Sequence, residues 1–295
     1  MRSVVVTGSS TGIGWSTARV LIARGFRVLG SVRKAADGER LSRELGPQFV
    51  PLVFDVTDEA AVRAAAAQVA GRLEGGTLAG LVNNAGVAVP GPLLYLDIGD
   101  FRRQLEVNLT GQLIVTQAFA PLLGADRARR GSPGRIVMMS SVGGRNGSPF
   151  LGPYNASKFG LEGLSESLRR ELMIFGIDVI LVAPGAVATP IWDKAEALDE
   201  RTYAHTPYAD ALTRMKEHAV RIGRSGYPPE RIGETVHTAL TAARPKTRYT
   251  VTPDAVQFFL GTHLPKRFVD RLIAKRLGLL PQEPHTKAHH EGTKT

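Results

Sequence analysis

The sequence contains no cysteine. That excludes disulfides, thiol catalysis and cysteine-ligated metal centres, and it fits a reducing compartment. Its histidines, His205, His218, His237, His263, His285, His289 and His290, include no metal-ligand spacing such as H-E-x-x-H, so no metal is expected. No run of about 18 or more apolar residues occurs, so no membrane span is expected. Met1-Arg2-Ser3-Val4-Val5-Val6 already reads as a strand and leaves no room for a secretory signal ahead of the fold. The expected location is the cytoplasm or the cytosolic face of a membrane.

What is present suits an ordinary globular protein. Of 295 residues, 43% are hydrophobic and 22% charged, enough to bury a sizeable core in one large α/β domain. The net charge is +10. The positive residues are scattered, with denser places at Arg127, Arg129, Arg130 and Arg135 and between Lys266 and Arg276. No nucleic-acid motif or aromatic platform accompanies them, so they read as a solvated surface or as a site for an anionic partner other than nucleic acid.

Apolar runs at Val4–Thr7, Val28–Val32, Phe49–Phe54, Leu78–Asn83, Arg135–Ser140, Ile177–Ala183 and Tyr249–Val251 alternate with helical stretches such as Trp15–Arg24, Glu59–Leu73, Phe101–Leu123 and Ser157–Phe175. Short runs without polar alternation mark strands buried on both faces. The expected fold is a doubly wound, Rossmann-like α/β domain with a parallel sheet and helices on both faces. The catalytic domain is expected over 1–255, with a helical substrate lid at 190–226, a C-terminal helical extension at 256–280 and a disordered tail at 281–295.

Thr7-Gly8-Ser9-Ser10-Thr11-Gly12-Ile13-Gly14 links the first strand to the first helix. In T-G-x-x-x-G-x-G the backbone can approach a diphosphate that Cβ atoms would obstruct, and helix N-terminal N–H groups face the negative charge. At the end of the second strand stand Arg33 and Lys34, with nothing acidic between Phe26 and Ala36. An acidic residue there would hold a free ribose 2′-hydroxyl, whereas a guanidinium suits a 2′-phosphate. NADP(H) is therefore favoured over NAD(H). The alternative is that Arg33 and Lys34 are ordinary loop charges.

Tyr154 and Lys158 are four apart at the start of a helical stretch and share one face. An ammonium beside a phenol favours the phenolate, making a general acid/base nearer working pH. Ser141 ends an apolar run, at the rim where open α/β sheets bind ligands. Ser140 competes with it, and periodicity alone does not choose.

Thr7–Gly14, Asn83-Asn84-Ala85-Gly86, Asn108, Ser141, Tyr154, Lys158 and Pro184-Gly185 occur in the order seen in short-chain dehydrogenases/reductases. The sequence resembles the single-domain branch of that family over roughly residues 1–255. The resemblance implies a catalytic set of Asn108, Ser141, Tyr154 and Lys158. Ser141 would polarise a substrate carbonyl, Tyr154 would exchange the proton, Lys158 would hold the nicotinamide ribose, and Asn108 would anchor a water behind Lys158. Gly8, Ser10, Gly12, Ile13 and Gly14 would line the diphosphate, and Asp55 and Val56 the adenine. Asn83, Ala85 and Gly86 would support the adenosine half, and Pro184, Gly185, Val187 and Thr189 the nicotinamide side. Family members commonly associate through the helices at Phe101–Leu123 and Ser157–Phe175, so a homodimer or homotetramer is expected.

A looser resemblance to hydroxysteroid and retinol dehydrogenases implies a hydrophobic alcohol or carbonyl substrate, of steroid, retinoid or lipid type. Val87, Val89, Leu93, Leu94, Phe150, Leu151, Ile191, Trp192, Tyr203 and Tyr208 are candidate pocket walls. The basic, apolar stretch Ala255–Leu280 reads as a helix packed on its own domain or a subunit, or as peripheral membrane contact. The functional alternatives are a non-catalytic dinucleotide-binding regulator and a membrane-peripheral scaffold.

Overall fold

The computed structural model describes residues 1–196 and 200–281. The expected tail, except Pro281, and residues 197–199 of the expected lid lie outside the described residues.

Seven strands, β1 (Ser3–Val6), β2 (Arg27–Val32), β3 (Phe49–Val53), β4 (Gly80–Asn83), β5 (Arg135–Met139), β6 (Asp178–Pro184) and β7 (Arg248–Val251), form one sheet. All pairings are parallel, in the order β3-β2-β1-β4-β5-β6-β7. The order reverses between β1 and β4, and the crevice beyond their carboxyl ends is where such sheets take ligands.

Alternation along β1 explains why Val4, Val5 and Val6 are all apolar. Val4 and Val6 face one layer with Leu21, Ile232 and Val236, from α1 (Gly12–Ala23) and α9 (Pro229–Thr241). Val5 faces the other with Val62, Val115, Phe119 and Leu161, from α3 (Glu59–Arg72), α5 (Gly111–Phe119) and α6 (Gly152–Glu171). Each such side chain withdrawn from water contributes about 1.5–3 kcal/mol. Asp58 caps α3 by accepting from Ala61 N–H at 3.0 Å.

Two helical stretches differ from expectation. Phe101–Leu123 is not one helix. α4 (Ile98–Leu105) starts earlier, capped by Asp97 accepting from Asp100 N–H. It runs through a π turn at Glu106–Thr110 into α5, then a 3₁₀ turn at Ala120–Leu123. The stretch Ser157–Phe175 is the later part of α6, which begins at Gly152 as the placing of Tyr154 at a helix start implies, and Pro153 occupies the first turn, where its missing N–H costs nothing. Ala35–Leu45 forms α2, unforeseen in the sequence.

The 190–226 region contains α7 (Ile191–Glu196) and α8 (Ala209–Arg224). Beyond β7 lie α10 (Ala255–His263) and α11 (Lys266–Leu277). Leu277 and Ile273 of α11 pack with Leu212 and Met215 of α8 and with Phe150.

Candidate active site

The glycine loop is tight because the atoms around it leave no room for side chains. Gly8 (φ +67°) and Gly12 (φ +59°) are left-handed. A Cβ on Gly8 would stand 2.9 Å from Ala85 Cα, and one on Gly14 would overlap Gly8 O and lie 2.5 Å from Asn84 Nδ2. Ser31 Oγ accepts from Gly8 N–H at 2.9 Å, and Arg40 Nη2 donates to Ser10 O at 2.8 Å. Thr11, the N-cap of α1, makes no side-chain cap bond, and the first turn carries no acidic residue. These N–H groups are thus presented to an anion. The Ile13 side chain packs on the core, leaving its backbone for that role.

Gly8–Gly12 also has the G-x-S-x-G spacing of a hydrolase elbow. Among the described residues no histidine or carboxylate bonds to the Ser10 side chain, so the base that nucleophile needs is absent.

The loop after β4 lacks regular structure, and buried amides satisfy its backbone. Asn108 accepts from Val87 N–H at 2.8 Å and donates to Val87 O at 2.9 Å and to Ser157 Oγ at 3.2 Å. Gln104 bonds Val87 O and Val89 N, and Gln112 donates to Ala85 O at 2.5 Å. Thr7 Oγ1 accepts from the N–H groups of Asn84 and Ala85, both at 2.9 Å, tying this loop to the glycine loop. Gly86 lies against Asn108 Oδ1. Asn83 points into the core, donating to Thr116 Oγ1 at 2.9 Å, so its side chain braces the sheet. Asn108 sits in the π turn, a distortion frequent at functional sites.

Ser141, Tyr154 and Lys158 converge. Ser141 Oγ and the Tyr154 ring both border Gly143, the Ser141 hydroxyl is near enough to favour the ionised phenol, and Lys158 Nζ is 5.7 Å from the Tyr154 ring centroid. Lys158 is 5% exposed and donates to Met139 O at 2.7 Å. Ser141 Oγ also accepts from Gly143 N–H at 3.0 Å and donates to Pro184 O at 3.4 Å. Ser140 points away and donates to Glu162 Oε1 at 2.7 Å, so Ser141, not Ser140, is the hydroxyl beside Tyr154. Glu162 also holds Arg248 (Nε–Oε2 3.0 Å) and Arg145 (3.4 Å).

The expected lowering of the Tyr154 pKa is not what this geometry produces. Burial pushes the phenol above its ordinary value and outweighs the opposing influence of the nearby Ser141 hydroxyl. Burial also brings the Lys158 ammonium down to about 8. Tyr154 is therefore a phenol, and a proton donor, at neutral pH.

At the end of β2, Arg33 and Lys34 are exposed, and their side chains make no hydrogen bond or ion pair among the described residues. Arg40 is occupied by Asp37 and Glu44. Asp55 Oδ1 accepts from Thr57 N–H and Oγ1, and Val56 is buried beside Gly111. Beyond β6, Gly185 N–H donates to Val251 O at 2.8 Å. Val187 is buried, its carbonyl accepting from Trp192 Nε1 at 2.7 Å. Thr189 lies across from Gly12, 3.6 Å from where a Cβ there would stand.

Of the candidate walls, Phe150 and Val89 are buried, and Phe150 stacks edge-on with Tyr208 (5.8 Å). Tyr203 reaches Gly91, and Trp192 packs beneath α8 at Gly223. Val87 and Leu151 are partly buried, whereas Leu93 and Leu94 are exposed. The Ile191 side chain lies outside the described residues. Ser31, Arg40, Gln104, Gln112 and Glu162 were not foreseen. Each acts through a partner distant in sequence, for which no short motif exists.

The profile of the short chain dehydrogenase family matches residues 2–199. The NADPH-dependent 3-dehydrocapnine reductase of Ornithobacterium rhinotracheale is 37% identical over 284 residues, covering 96% of this chain and 100% of that one. Retinol dehydrogenase 5 of Homo sapiens is 37% identical over 286 residues, covering 92% and 87%. The crystal structure of a short-chain dehydrogenase from Streptomyces avermitilis superposes with a TM-score of 0.73 at 26% identity, covering 94% of this chain and 97% of that one. With its parallel sheet, glycine loop and convergent Ser141, Tyr154 and Lys158, this chain belongs to the short-chain dehydrogenase family, a family of oxidoreductases.

Proposed function

We propose that the protein is an NADP(H)-dependent oxidoreductase interconverting a hydrophobic alcohol, of steroid, retinoid or lipid type, with its ketone or aldehyde. The observation that carries this reading is the convergence of Ser141 and Tyr154 at Gly143 with Lys158 one helical turn behind them. The residues fit a dinucleotide. Gly12, Ile13 and Gly14 at the uncapped start of α1 offer backbone N–H groups, the crowding at Gly8 and Gly14 leaves no room for Cβ atoms, and unpaired Arg33 and Lys34 offer charge for a 2′-phosphate. Asp55, Ala85 and Gly86 would border the adenosine half, and Pro184, Gly185, Val187 and Thr189 the nicotinamide half. When bound, that cofactor is the hydride source or sink for the substrate carbon.

The chain's own residues do the rest. Ser141 and Tyr154 hydroxyls donate to the substrate oxygen, where negative charge grows during reduction. Tyr154 Oη gives up its proton, and its raised pKa keeps that proton available at neutral pH. The Lys158 ammonium, fixed by Met139 O, stabilises the phenolate left behind. Asn108 holds the β4 loop and, through Ser157, the first turns of α6. Oxidation reverses these roles.

The substrate class draws support from the apolar Phe150–Tyr208 pair under α8 and from relatives named for retinol, a hydroxysteroid and dehydrocapnine. Exposed Phe159, Met173 and Ile174 on and after α6 support association into a homodimer or homotetramer. The reading places the protein in the cytoplasm, with peripheral contact at a membrane. The test is paired titration with NADPH and NADH, followed by a screen of hydrophobic ketones. Tight NADPH binding with ketone-dependent oxidation is expected, and indifference to every carbonyl compound would overturn the reading.

A further inference from the structure

The helix α10 is an anomaly among the helices. Its sequence, Ala255-Val-Gln-Phe-Phe-Leu-Gly-Thr-His263, is mainly apolar, yet none of its residues is buried. Val256, Phe259 and Leu260, at spacing i, i+3, i+4, are 74%, 58% and 44% exposed. A helix this apolar is normally covered. The next helix divides its faces. Val269, Ile273 and Leu277 turn inward, the latter two packing with residues of α8, while Phe268, Arg271, Leu272 and Lys275 face solvent together. Among the described residues Arg267, Arg271 and Lys275 have no carboxylate partner, and Lys266 reaches only Gly261 O.

We propose that the outer faces of α10 and α11 dock on an anionic lipid bilayer. Apolar side chains interleaved with unpaired cations match the acyl–headgroup boundary of such a membrane. A second copy of this chain would carry the same unpaired cations to the contact, so charge favours lipid over self-association. The helix that carries part of this surface also packs against two of the candidate pocket walls. α11 packs in one cluster with Phe150 and Tyr208, and Tyr208 meets edge-on Tyr95 (6.0 Å) of the loop that carries exposed Leu93 and Leu94. Leu93 touches Gly152, two residues before Tyr154. Resting on the oxidoreductase reading, the further consequence is that a hydrophobic substrate enters from the bilayer through this rim.

The test is co-sedimentation of the full chain with vesicles of phosphatidylcholine alone and of phosphatidylcholine with phosphatidylglycerol. Binding is expected only with the anionic vesicles, falling with added salt. Arg271→Glu with Lys275→Glu should weaken it about tenfold or more, and Phe268→Ser with Leu272→Ser should also weaken it, both leaving turnover of a water-soluble carbonyl substrate unchanged. No binding to anionic vesicles, or binding unaltered in both variants, overturns the proposal. So does a drop from dimer to monomer in sedimentation of the apolar variant, which would make the face a contact between copies. Tyr154→Phe separates the two readings, because it should abolish turnover and leave vesicle binding intact.

Discussion

Ser140 Oγ donates to Glu162 Oε1 at 2.7 Å, and through this bond the end of β5 is fastened to α6 one turn beyond Lys158. The bond from Lys158 to Met139 O is its neighbour. Together they set the distance between Ser141 and Tyr154, although neither Ser140 nor Glu162 faces the substrate. Glu162→Ala would also strand the Arg248 guanidinium, whose side chain is 10% exposed. We expect a stability loss of about 3 kcal/mol and a kcat reduced about tenfold with NADPH affinity unchanged. Glu162→Gln, which keeps the bond to Ser140, should recover most of kcat. Denaturant unfolding beside steady-state kinetics checks both, and a fall in kcat equal for Gln and Ala would show that geometry is not the cause.

In the proposed reading Arg33 acts through charge. Arg33→Ala should weaken NADPH about 10- to 100-fold, the worth of one charge-assisted bond, and leave NADH nearly unchanged. Fluorescence titration with both nucleotides reads this directly. Equal losses for the two would mean that Arg33 does not meet the 2′-phosphate.

Gly14→Ala places a methyl against Gly8 O and Asn84 Nδ2. The loop must shift, at a cost of about 1–3 kcal/mol, and nucleotide affinity should fall with it. Unfolding midpoints and NADPH titration on the purified variant measure the two effects.

Lys158 gives stability a pH signature. Its ordinary pKa of 10.5 falls to about 8 on folding, so between those values the unfolded chain binds more protons and stability rises with pH. Below about pH 8 the full cost of the buried ammonium is present, on the order of 3 kcal/mol. The raised pKa of Tyr154 works in the opposite sense, but only above its ordinary 10.0. The wild type should therefore gain stability relative to Lys158→Met from about pH 8 to about pH 10, measured by urea unfolding. Parallel pH profiles would contradict this.

What could be read from the sequence was local. Tyr154 and Lys158 share a helix face, the glycines follow a strand directly, and Val4–Val6 announce burial on both sides. Those features need only neighbouring residues. The Glu162–Arg248 pair spans 86 residues, and no periodicity foretells it. The π turn at Asn108 coincides with that side chain bonding back to the β4 loop, a contact decided by tertiary packing. The choice between Ser140 and Ser141 needed to know where Glu162 lies. The lowered phenol pKa expected from a nearby ammonium gave way to desolvation, which a linear sequence does not display.

The most direct test is ketone-dependent NADPH oxidation by wild type and Tyr154→Phe, with NADPH binding measured on both. The account predicts turnover lower by about 100-fold or more in the variant with binding preserved. Equal turnover in the two proteins would contradict it by placing the proton donor elsewhere, and wild type that binds NADPH but turns over no carbonyl compound would favour a non-catalytic dinucleotide-binding protein.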